Sequence, residues 1–387
     1  MNDCQQSLPK MVLSHCSVVC SAGNSWSLID QLTNNNSSSL TYCENWLRDR
    51  GGYFGVVTIP DTDSCELSKT HSLLKHLMDE MCTSIEQFKS RYSSDRIGVI
   101  IATTTSGIHK VEDAPELSDI DYHLDQEMSS ASAFVAHYCD INGPNICVST
   151  ACTSGAKVFG LAQQLINGGW CDAAIVGASE SLCRMTCQGF DALESYAADR
   201  SKPFQADRDG INIGEGAALF LVEPGSSGIV LAGYGESSDA YHESAPDPEG
   251  KGAEAAIEMA LLSAQCQPRD IDYINLHGTG TPLNDAMESG VMSRIFGYDV
   301  KMSTTKSAMG HTLGASGAIE AAVLWLLLNH NGPTKLPVQN LNGNYDVSLP
   351  RLNFVDANDN DPIEISRALS TSFAFGGHNT AVVLERV

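Results

Sequence analysis

The chain has 387 residues, of which 42% are hydrophobic and 18% are charged, as is typical of a globular protein. Its 47 acidic and 23 basic residues give a formal net charge of −24, which disfavours nucleic acid and anionic membrane surfaces as partners. The longest apolar stretch, residues 318–328, is shorter than the roughly 20 residues that span a bilayer, and the first residues lack the pattern of a secretory signal. We therefore expect a cytoplasmic protein without a membrane span.

The 13 cysteines are odd in number, irregularly spaced and without a CxxC pair. This pattern favours neither a disulfide framework nor a zinc cluster. We expect most of the cysteines to be reduced and to pack as small apolar side chains. A cysteine that is chosen as a nucleophile needs support from its local sequence.

The predicted elements alternate between strands and helices along most of the chain. Short apolar runs predict strands at residues 96–104, 145–150, 171–180, 216–224, 228–236 and 273–281. Helical periodicity predicts helices at residues 157–169, 254–265 and 318–328. This alternation indicates an α/β layered fold, in which we expect the successive strands 216–224 and 228–236 to be neighbours. The short connection between those two strands is a predicted seam between two parts of the chain.

Cys152 lies where a predicted strand gives way to a helix, in the segment STACTSG. Free backbone N–H groups and the positive end of the helix dipole favour a thiolate at such a position. The small neighbours Ala151 and Gly155 leave room for a bulky electrophile. This stretch alone is equally compatible with a small residue at a tight turn, so a nucleophile and a structural cysteine are both open interpretations.

Three further segments place polar or aromatic residues in glycine-rich loops. His277 ends a predicted strand in HGTGTPLND, and Lys306 and His311 flank the turn in KSAMGH. The segment SFAFGGHNT, residues 372–380, places aromatic residues before two glycines. A single histidine is commonly structural, but two histidines that each follow an extended segment into such a loop favour a catalytic site.

Together these segments resemble the elongating, Cys-His-His type of β-ketoacyl-acyl-carrier-protein synthase, a member of the thiolase superfamily. The segments PFQADRDGINIGEGAALFLVE, residues 203–223, and SSDAYHESAPDPEG, residues 237–250, also match that family in order and spacing. The resemblance covers the chain from about residue 96 onward. Any one motif is weak support, whereas several in the family's order are specific.

The resemblance implies a thiolase-like α/β fold with five layers, αβαβα, and two similar halves. Residues 1–226 would form the N-terminal half, which carries the nucleophilic cysteine. Residues 227–387 would form the C-terminal half, which carries the two histidines, the lysine and the glycine-rich loop near the C-terminus.

The activity that the resemblance implies is a decarboxylative Claisen condensation in fatty-acid, polyene or polyketide-type chain elongation. An acyl group would be transferred to Cys152 as a thioester, and malonyl-acyl-carrier protein would then lose CO₂ and attack it. His277 and His311 would donate N–H groups to the enolate. Lys306 would orient and polarise His311, and Glu320 would lie behind Lys306. No bound cofactor or metal is implied, because the substrate arrives on the phosphopantetheine of acyl carrier protein.

Further roles are carried over from the same resemblance. The backbone N–H groups of Cys152 and Phe375 would form the oxyanion hole. Phe375 would also act as a gate to the acyl pocket, and Gly376 and Gly377 would permit its movement.

Two more pairs of residues complete the predicted site. Thr279 and Thr281 would hydrogen-bond the amides of the phosphopantetheine arm, and threonines in this position also suit a turn. Asp239 and His242 would lie in a loop that faces the gate.

Three classes of related protein are alternatives. Thiolases have a second cysteine near the C-terminus, whereas the last cysteine here is Cys266 and the final loop carries His378. Initiating synthases use Cys-His-Asn, whereas the third position here is His311. A chain-length factor, which is a non-catalytic partner subunit, lacks the nucleophile, so Cys152 favours a catalytic subunit, and the partner role is kept as the alternative.

The sequence departs from the family in its first part and in its charge. Residues before position 96 resemble the family poorly, and the acidic chain would repel an acidic carrier protein at long range. Either a local basic patch or a partner chain would overcome this repulsion. The candidates for the patch are Lys69, Lys75, Arg200 and Lys202. We expect a homodimer or a heterodimer with a synthase-like subunit, and acyl carrier protein as the substrate-bearing partner.

Overall fold

The structure is a computed structural model that describes residues 10–34, 38–59, 67–341 and 344–387. Within these residues the chain forms 13 strands and 12 α-helices. The strands are β1 Lys10–Cys20, β2 Gly23–Asn24, β3 Thr41–Cys43, β4 Gly52–Phe54, β5 Ile97–Ala102, β6 Asn145–Val148, β7 Ala173–Glu180, β8 Gly216–Gly225, β9 Ile229–Ser238, β10 Tyr273–Asn275, β11 Lys301–Ser303, β12 Arg367–Phe373 and β13 His378–Arg386. The helices are α1 Leu28–Asn34, α2 Lys69–Glu80, α3 Cys82–Lys89, α4 Ile108–Asp113, α5 Tyr122–Asp125, α6 Ser129–Tyr138, α7 Ser154–Asn167, α8 Arg184–Ala192, α9 Lys251–Ser263, α10 Pro282–Phe296, α11 Lys306–Met309 and α12 Ser316–Asn329.

One large sheet organises the molecule, in the order β11-β10-β12-β13-β9-β1-β8-β7-β5-β6, with β2 added to β1. It consists of two five-stranded halves that are joined edge to edge where β1 pairs with β9. The strands of each half, numbered along the chain, lie in the same spatial order, 1-5-4-2-3 from the join outward. The three outer strands of each half are parallel, namely β7, β5 and β6 in the first half and β12, β10 and β11 in the second. The two halves therefore repeat one topology.

The helices form layers on both faces of these two half-sheets. Helices α7 and α12 pack against each other and against strands of both halves. Helices α2, α3 and α6 cover the other face of the N-terminal half, and α9 and α10 cover that of the C-terminal half. Residues of β5 alternate between the two cores, as expected for a strand that is buried on both faces. The prediction of a five-layer thiolase-like α/β fold with two similar halves is confirmed.

The two inner helices approach each other closely through glycine. A side-chain carbon on Gly155 would lie 2.7 Å from the backbone nitrogen of Ala318, and one on Gly317 would lie 2.6 Å from that of Ala156. The helices therefore need glycine at both positions to remain at this distance. Since both glycines lie in the first turn or two of their helices, the contact brings the two N-terminal ends together.

The strands predicted at 216–224 and 228–236 are present as β8 and β9, but they are not neighbours. The prediction that they pair with each other is wrong, because β1 lies between them and pairs with both. This strand comes from the part of the chain that resembles the family poorly. The predicted boundary between residues 226 and 227 falls in the β8–β9 connection and stays a prediction.

Of the described helices, none has both the length and the apolar composition that crossing a membrane would require. All eleven cysteines in the described part of the chain are free thiols. The expectation of unpaired cysteines therefore holds for these eleven.

We predict that Gly155→Ala and Gly189→Ala change stability in opposite directions. Alanine at 155 should lower the free energy of unfolding by about 1–3 kcal/mol, because the methyl group would collide with α12. Gly189 lies on α8, and no atom lies within 4 Å of the point that a side-chain carbon would occupy there. Alanine at 189 should therefore be neutral or stabilise by roughly 0.5–1 kcal/mol. Denaturant unfolding of both variants checks this, and equal effects at the two positions would contradict the close contact.

Candidate active site

Cys152 is presented by the turn that joins β6 to α7. Ala151, which precedes it, has a φ of 53°, a left-handed conformation that residues with a side chain rarely adopt. The Ser154 hydroxyl donates a hydrogen bond to the carbonyl of Ala151 (2.5 Å) and accepts one from the N–H of Thr150 (2.7 Å). These contacts fix the thiol at the N-terminal end of α7, where the sequence predicts it.

His277 follows β10, and a carboxylate from α10 holds its loop. Glu288 accepts hydrogen bonds from the N–H groups of His277 (2.8 Å) and Gly278 (2.7 Å). Asp285, one turn earlier in α10, accepts one from the N–H of Gly280 (3.1 Å). Both carboxylates are buried, so the backbone on either side of the imidazole is anchored from inside the protein.

His311 lies in the connection between α11 and α12. The backbone N–H of His311 donates to the carbonyl of Asn212 (2.7 Å), and the backbone N–H of Gly314 donates to the Glu180 carboxylate (3.0 Å). Glu180, at the end of β7, also accepts a hydrogen bond from the N–H of Thr104 (2.9 Å). One buried carboxylate therefore ties the loop after β5 to the loop that carries His311.

The side chains of Cys152, His277 and His311 converge. Their ligand-type atoms all lie within 4.8 Å of one another. Nε2 of His311 is 3.0 Å from Sγ of Cys152, and the centroids of the two imidazole rings are 5.4 Å apart, with the ring planes at 85°. All three residues line a pocket of about 190 Å³. A bound molecule in that pocket would reach the sulfur and both imidazoles.

Burial determines the protonation states of the three side chains. It raises the pKa of the Cys152 thiol to about 12, and the positive charge of Lys306 opposes this only partly. Burial also lowers the pKa of His277 and of His311 well below the ordinary value, and Lys306 lowers both further. The site at pH 7 therefore holds a neutral thiol beside two neutral imidazoles. Desolvation is the largest influence on the pKa of the buried Cys152 thiol, and it opposes the thiolate that the N-terminal end of a helix favours.

Lys306 begins α11 and forms a buried ion pair with Glu320 of α12. The Ser316 hydroxyl also donates to Glu320 (3.1 Å). Burial raises the pKa of the Glu320 carboxyl, and the Lys306 charge opposes that shift. Lys306 is in contact with Glu320, as the sequence predicts, and it acts on His311 through its charge.

Phe375 lies at the pocket, in the loop between β12 and β13. It is 36% exposed, and its ring centroid is 5.6 Å from that of Phe190 on α8. Gly376 and Gly377 have φ values of 82° and 76°, which only glycine adopts without strain. The loop therefore has the backbone that a movable aromatic side chain would need, and its role as a gate stays a prediction.

The loop after β9 faces this gate loop, and its two predicted residues differ in position. Asp239 lines the pocket and accepts a hydrogen bond from the side-chain amide of Asn379 (2.7 Å). The N–H of Asp239 donates to the carbonyl of Gly377 (2.8 Å). His242 is exposed, and its ring accepts from the N–H of Ser244 (3.1 Å). Asp239 therefore lies at the site, whereas His242 faces solvent.

Thr279 and Thr281 both line the pocket, together with the two histidines. Their hydroxyl groups lie 3.0 Å apart, and the N–H of Thr281 donates to the hydroxyl of Thr279 (3.3 Å). Both the turn role and the pantetheine role that were predicted are compatible with this arrangement.

Comparisons with known proteins agree with this geometry. Residues 62–227 match the N-terminal domain of β-ketoacyl synthase, and residues 229–337 match its C-terminal domain. The 3-oxoacyl-[acyl-carrier-protein] synthase 2 of Synechocystis sp. is 33% identical over 326 residues, which are 76% of this chain and 76% of that protein. The protein of the same name from Rhizobium meliloti is 34% identical over 338 residues, which are 79% of this chain and 78% of that protein.

The chain belongs to the β-ketoacyl synthase family. A solved structure of a ketosynthase in complex with its chain length factor, from Xenorhabdus doucetiae, contains a chain that is 37% identical. That match covers 100% of both chains with a TM-score of 0.89, so this ketoacyl synthase shares the fold over its whole length. The likeness therefore extends to the first part of the chain, whose sequence departs from the family pattern.

Several residues that position the site were missed in the sequence. Glu288 and Asp285 follow HGTGT at a spacing of three, and acidic residues in the first turns of a helix are a usable signal for backbone anchoring. Glu180 ends an apolar strand, where a buried acid has no reason to be expected from periodicity. Phe190 of this ketoacyl synthase contacts Phe375 only through the tertiary fold. Only Glu288 and Asp285 could therefore have been found in the sequence, from their spacing after HGTGT.

We predict that Lys306→Met lowers the free energy of unfolding by about 3–5 kcal/mol, because Glu320 would remain buried without an opposite charge. The double variant Lys306→Met, Glu320→Gln should recover most of the loss, since it removes the unpaired charge. Lys75→Met serves as the control, because its ion pair with Asp79 is exposed and should be worth less than about 1 kcal/mol. Denaturant unfolding measures all three, and equal losses for Lys306→Met and Lys75→Met would contradict the buried pair.

Proposed function

We propose that this synthase condenses an acyl group held on Cys152 with malonyl-acyl-carrier protein and releases CO₂ and a β-ketoacyl-carrier protein. The observation that carries the proposal is the convergence of one thiol and two neutral imidazoles at a pocket. The family membership and the relatives named 3-oxoacyl-[acyl-carrier-protein] synthase 2 support an acyltransferase of the condensing class.

The first step is transfer of the acyl group to Cys152. Because burial keeps the thiol protonated, the proton must leave as the sulfur attacks, and Nε2 of His311 at 3.0 Å is placed to accept it. The new S–C bond forms as the carrier thioester C–S bond breaks, and the carrier thiol leaves with a proton. We assign the oxyanion hole to the backbone N–H groups of Cys152 and Phe375.

The second step is decarboxylation of the malonyl thioester. The C–C bond to the carboxylate breaks, CO₂ leaves, and the electron pair passes into the thioester as an enolate. Neutral His277 and His311 would donate N–H groups to that oxygen, and we assign Lys306 to polarise His311 through space. Glu320 would balance the lysine charge.

The third step forms the new carbon–carbon bond. The enolate carbon attacks the acyl carbonyl on Cys152, the S–C bond breaks, and the departing thiolate takes up a proton from solvent, because its first proton left with the carrier thiol. Thr279, Thr281 and Asp239 line the path along which the phosphopantetheine arm would enter, and Phe375 would close it. We keep His242 as a residue of the outer loop without a contact to the arm.

We predict that His311→Ala and Cys152→Ala separate these steps. His311→Ala should leave measurable acylation of Cys152 but lower CO₂ release from malonyl-carrier protein by roughly 10²–10³-fold, because the developing oxyanion loses a donor. Cys152→Ala should abolish acylation and condensation, yet keep some decarboxylation because both imidazoles remain. Intact-mass spectrometry and CO₂ release measure the two steps.

Two outcomes would contradict this assignment. Parent rates of CO₂ release in His311→Ala would remove the oxyanion role from that residue. Full chain elongation by a complex that contains Cys152→Ala would favour the alternative, a non-catalytic partner subunit that influences chain length.

The assembly that we propose is a dimer with a second copy or with a synthase-like subunit. β6 ends the sheet, and its residues are only partly buried in the single chain. Such an edge strand is normally covered in a stable protein. The Xenorhabdus doucetiae structure contains a ketosynthase together with its chain length factor. That assembly supports the proposal of a heterodimer for the present chain.

Three of the four candidate docking cations are already paired within the chain. Lys69 donates to the carbonyl of Val57 (2.7 Å) and pairs with Glu215 (3.3 Å). The other ion pairs are Lys75 with Asp79 and Lys202 with Asp207, each at 2.7 Å. The exposed guanidinium of Arg200 lies over the ring of Tyr53 at 4.9 Å, five residues after Ser195, which lines the pocket.

We predict that Arg200→Glu raises the KM for malonyl-carrier protein several-fold, with little change in kcat, because Arg200 would face an acidic carrier. The increase should shrink at high salt, where surface charges are screened. Arg269→Glu is the matched control, since Arg269 is exposed at the opposite end of β10. An unchanged KM, or an equal rise in both variants, would remove Arg200 from the docking surface.

We also propose a cytoplasmic location. The free thiols at all eleven described cysteines suit a reducing compartment, in which an acyl carrier protein would be available.

A further inference from the structure

The residues Cys152, His277 and His311 also form a group with the chemistry of a metal site. In the part of the chain that the structure describes, the ligand atoms of these three side chains lie close enough together to hold one metal ion. Thiolate and imidazole are the ligands that Zn²⁺ prefers, and three protein ligands with one open position are a common arrangement.

The distances fit a tetrahedral ion after small movements. Zinc bonds of about 2.0–2.3 Å place neighbouring ligand atoms roughly 3.3–3.8 Å apart. The observed upper separation is 4.8 Å, and the sulfur–nitrogen distance to His311 is 3.0 Å. Side-chain rotations that move the ligand atoms by on the order of 1 Å would therefore bring all three atoms to one ion. The 190 Å³ pocket leaves space for water as the fourth ligand.

The surroundings of the group indicate a reversible site. Nδ1 of His277 and Nδ1 of His311 are buried and have no hydrogen-bond partner among the described residues. Metal-ligating histidines normally donate the second N–H to an acceptor, and losing such acceptors costs roughly 10–100-fold in affinity. The site therefore lacks the support of a structural zinc site and would release the ion to a chelator.

We propose that Zn²⁺ binds Cys152, His277 and His311 and reversibly inhibits this enzyme. Formation of the Zn–S bond displaces the thiol proton to solvent, and each imidazole donates a nitrogen lone pair, so no oxidant or reductant is involved. A coordinated sulfur cannot attack a thioester, and coordinated nitrogens cannot serve the enolate. Ion binding depends on the three side chains alone, whereas the loss of condensation rests on the proposed function.

Cobalt spectroscopy tests the binding without an activity assay. Full-length protein with one equivalent of Co²⁺ should show the strong visible bands of a tetrahedral ion and a near-ultraviolet thiolate-to-cobalt band. Cys152→Ser should remove the thiolate band. Cys82→Ser is the control, because Cys82 is an exposed thiol outside the group and its loss should change nothing. A thiolate band that persists in Cys152→Ser, or no band in protein that still condenses, would overturn the proposal.

Zinc titration tests the inhibition. Saturating Zn²⁺ should lower the rate of condensation more than tenfold and protect Cys152 from alkylation by iodoacetamide. Addition of a chelator should reverse both effects. His277→Ala should weaken Zn²⁺ binding at least tenfold in competition with a chromophoric chelator. Inhibition that a chelator does not reverse, or an undiminished affinity in His277→Ala, would refute the three-ligand site. Protein that is inactive before zinc is added would count against the proposed function, and the cobalt result would still stand.

Discussion

The chemistry of this protein depends on the contact between the first turns of α7 and α12. Gly155 and Gly317 lie so close to the opposite helix that any side chain there would enter its backbone. Cys152 immediately precedes α7, and His311 precedes α12 by a short turn. The distance between the helices therefore sets the 3.0 Å approach of imidazole to sulfur. Helix packing therefore positions Cys152 together with the hydrogen bonds of Ser154 in the turn before α7.

The burial that this contact produces has a catalytic consequence. In the proposed reaction, neutral imidazoles would offer N–H groups to an enolate without adding a positive charge that would hold the malonyl carboxylate equally well. Only stabilisation that is greater in the transition state than in the ground state accelerates a reaction. The ion pair with Glu320 holds Lys306 in the interior. From there the lysine charge acts on the two imidazoles and lowers their pKa values. Desolvation and one internal ion pair together account for the protonation states.

The sequence predicts the chemical groups of the site better than their support. Cys152, His277, His311 and Lys306 stand in glycine-rich segments that indicate turns. The predicted strand before Cys152 and the predicted helices at 157–169 and 318–328 are present as β6, α7 and α12, whereas β10 is limited to Tyr273–Asn275 and periodicity did not predict β11 or α11. The pairing of β1 between β8 and β9 was not predictable, because it joins residues between 196 (Cys20 with Gly216) and 220 (Met11 with Leu231) positions apart in the chain. The pairing of Lys69 with Glu215 likewise depends on tertiary contacts, so a basic residue in a sequence does not identify a docking cation.

The repeated topology explains why the site is assembled from both halves. In each half a connection leads from the third strand, β6 or β11, to an inner helix, α7 or α12, and the second connection includes the short helix α11. Cys152 lies in the first of these connections and His311 in the second. Gly155 and Gly317 hold corresponding places in the two helices, and each faces an alanine of the other. A pair of similar helix starts thus meets near one point, which places a thiol on one side and an imidazole on the other. His277 joins them from the neighbouring strand β10, whose carboxyl end lies at the same edge of the sheet as that of β11.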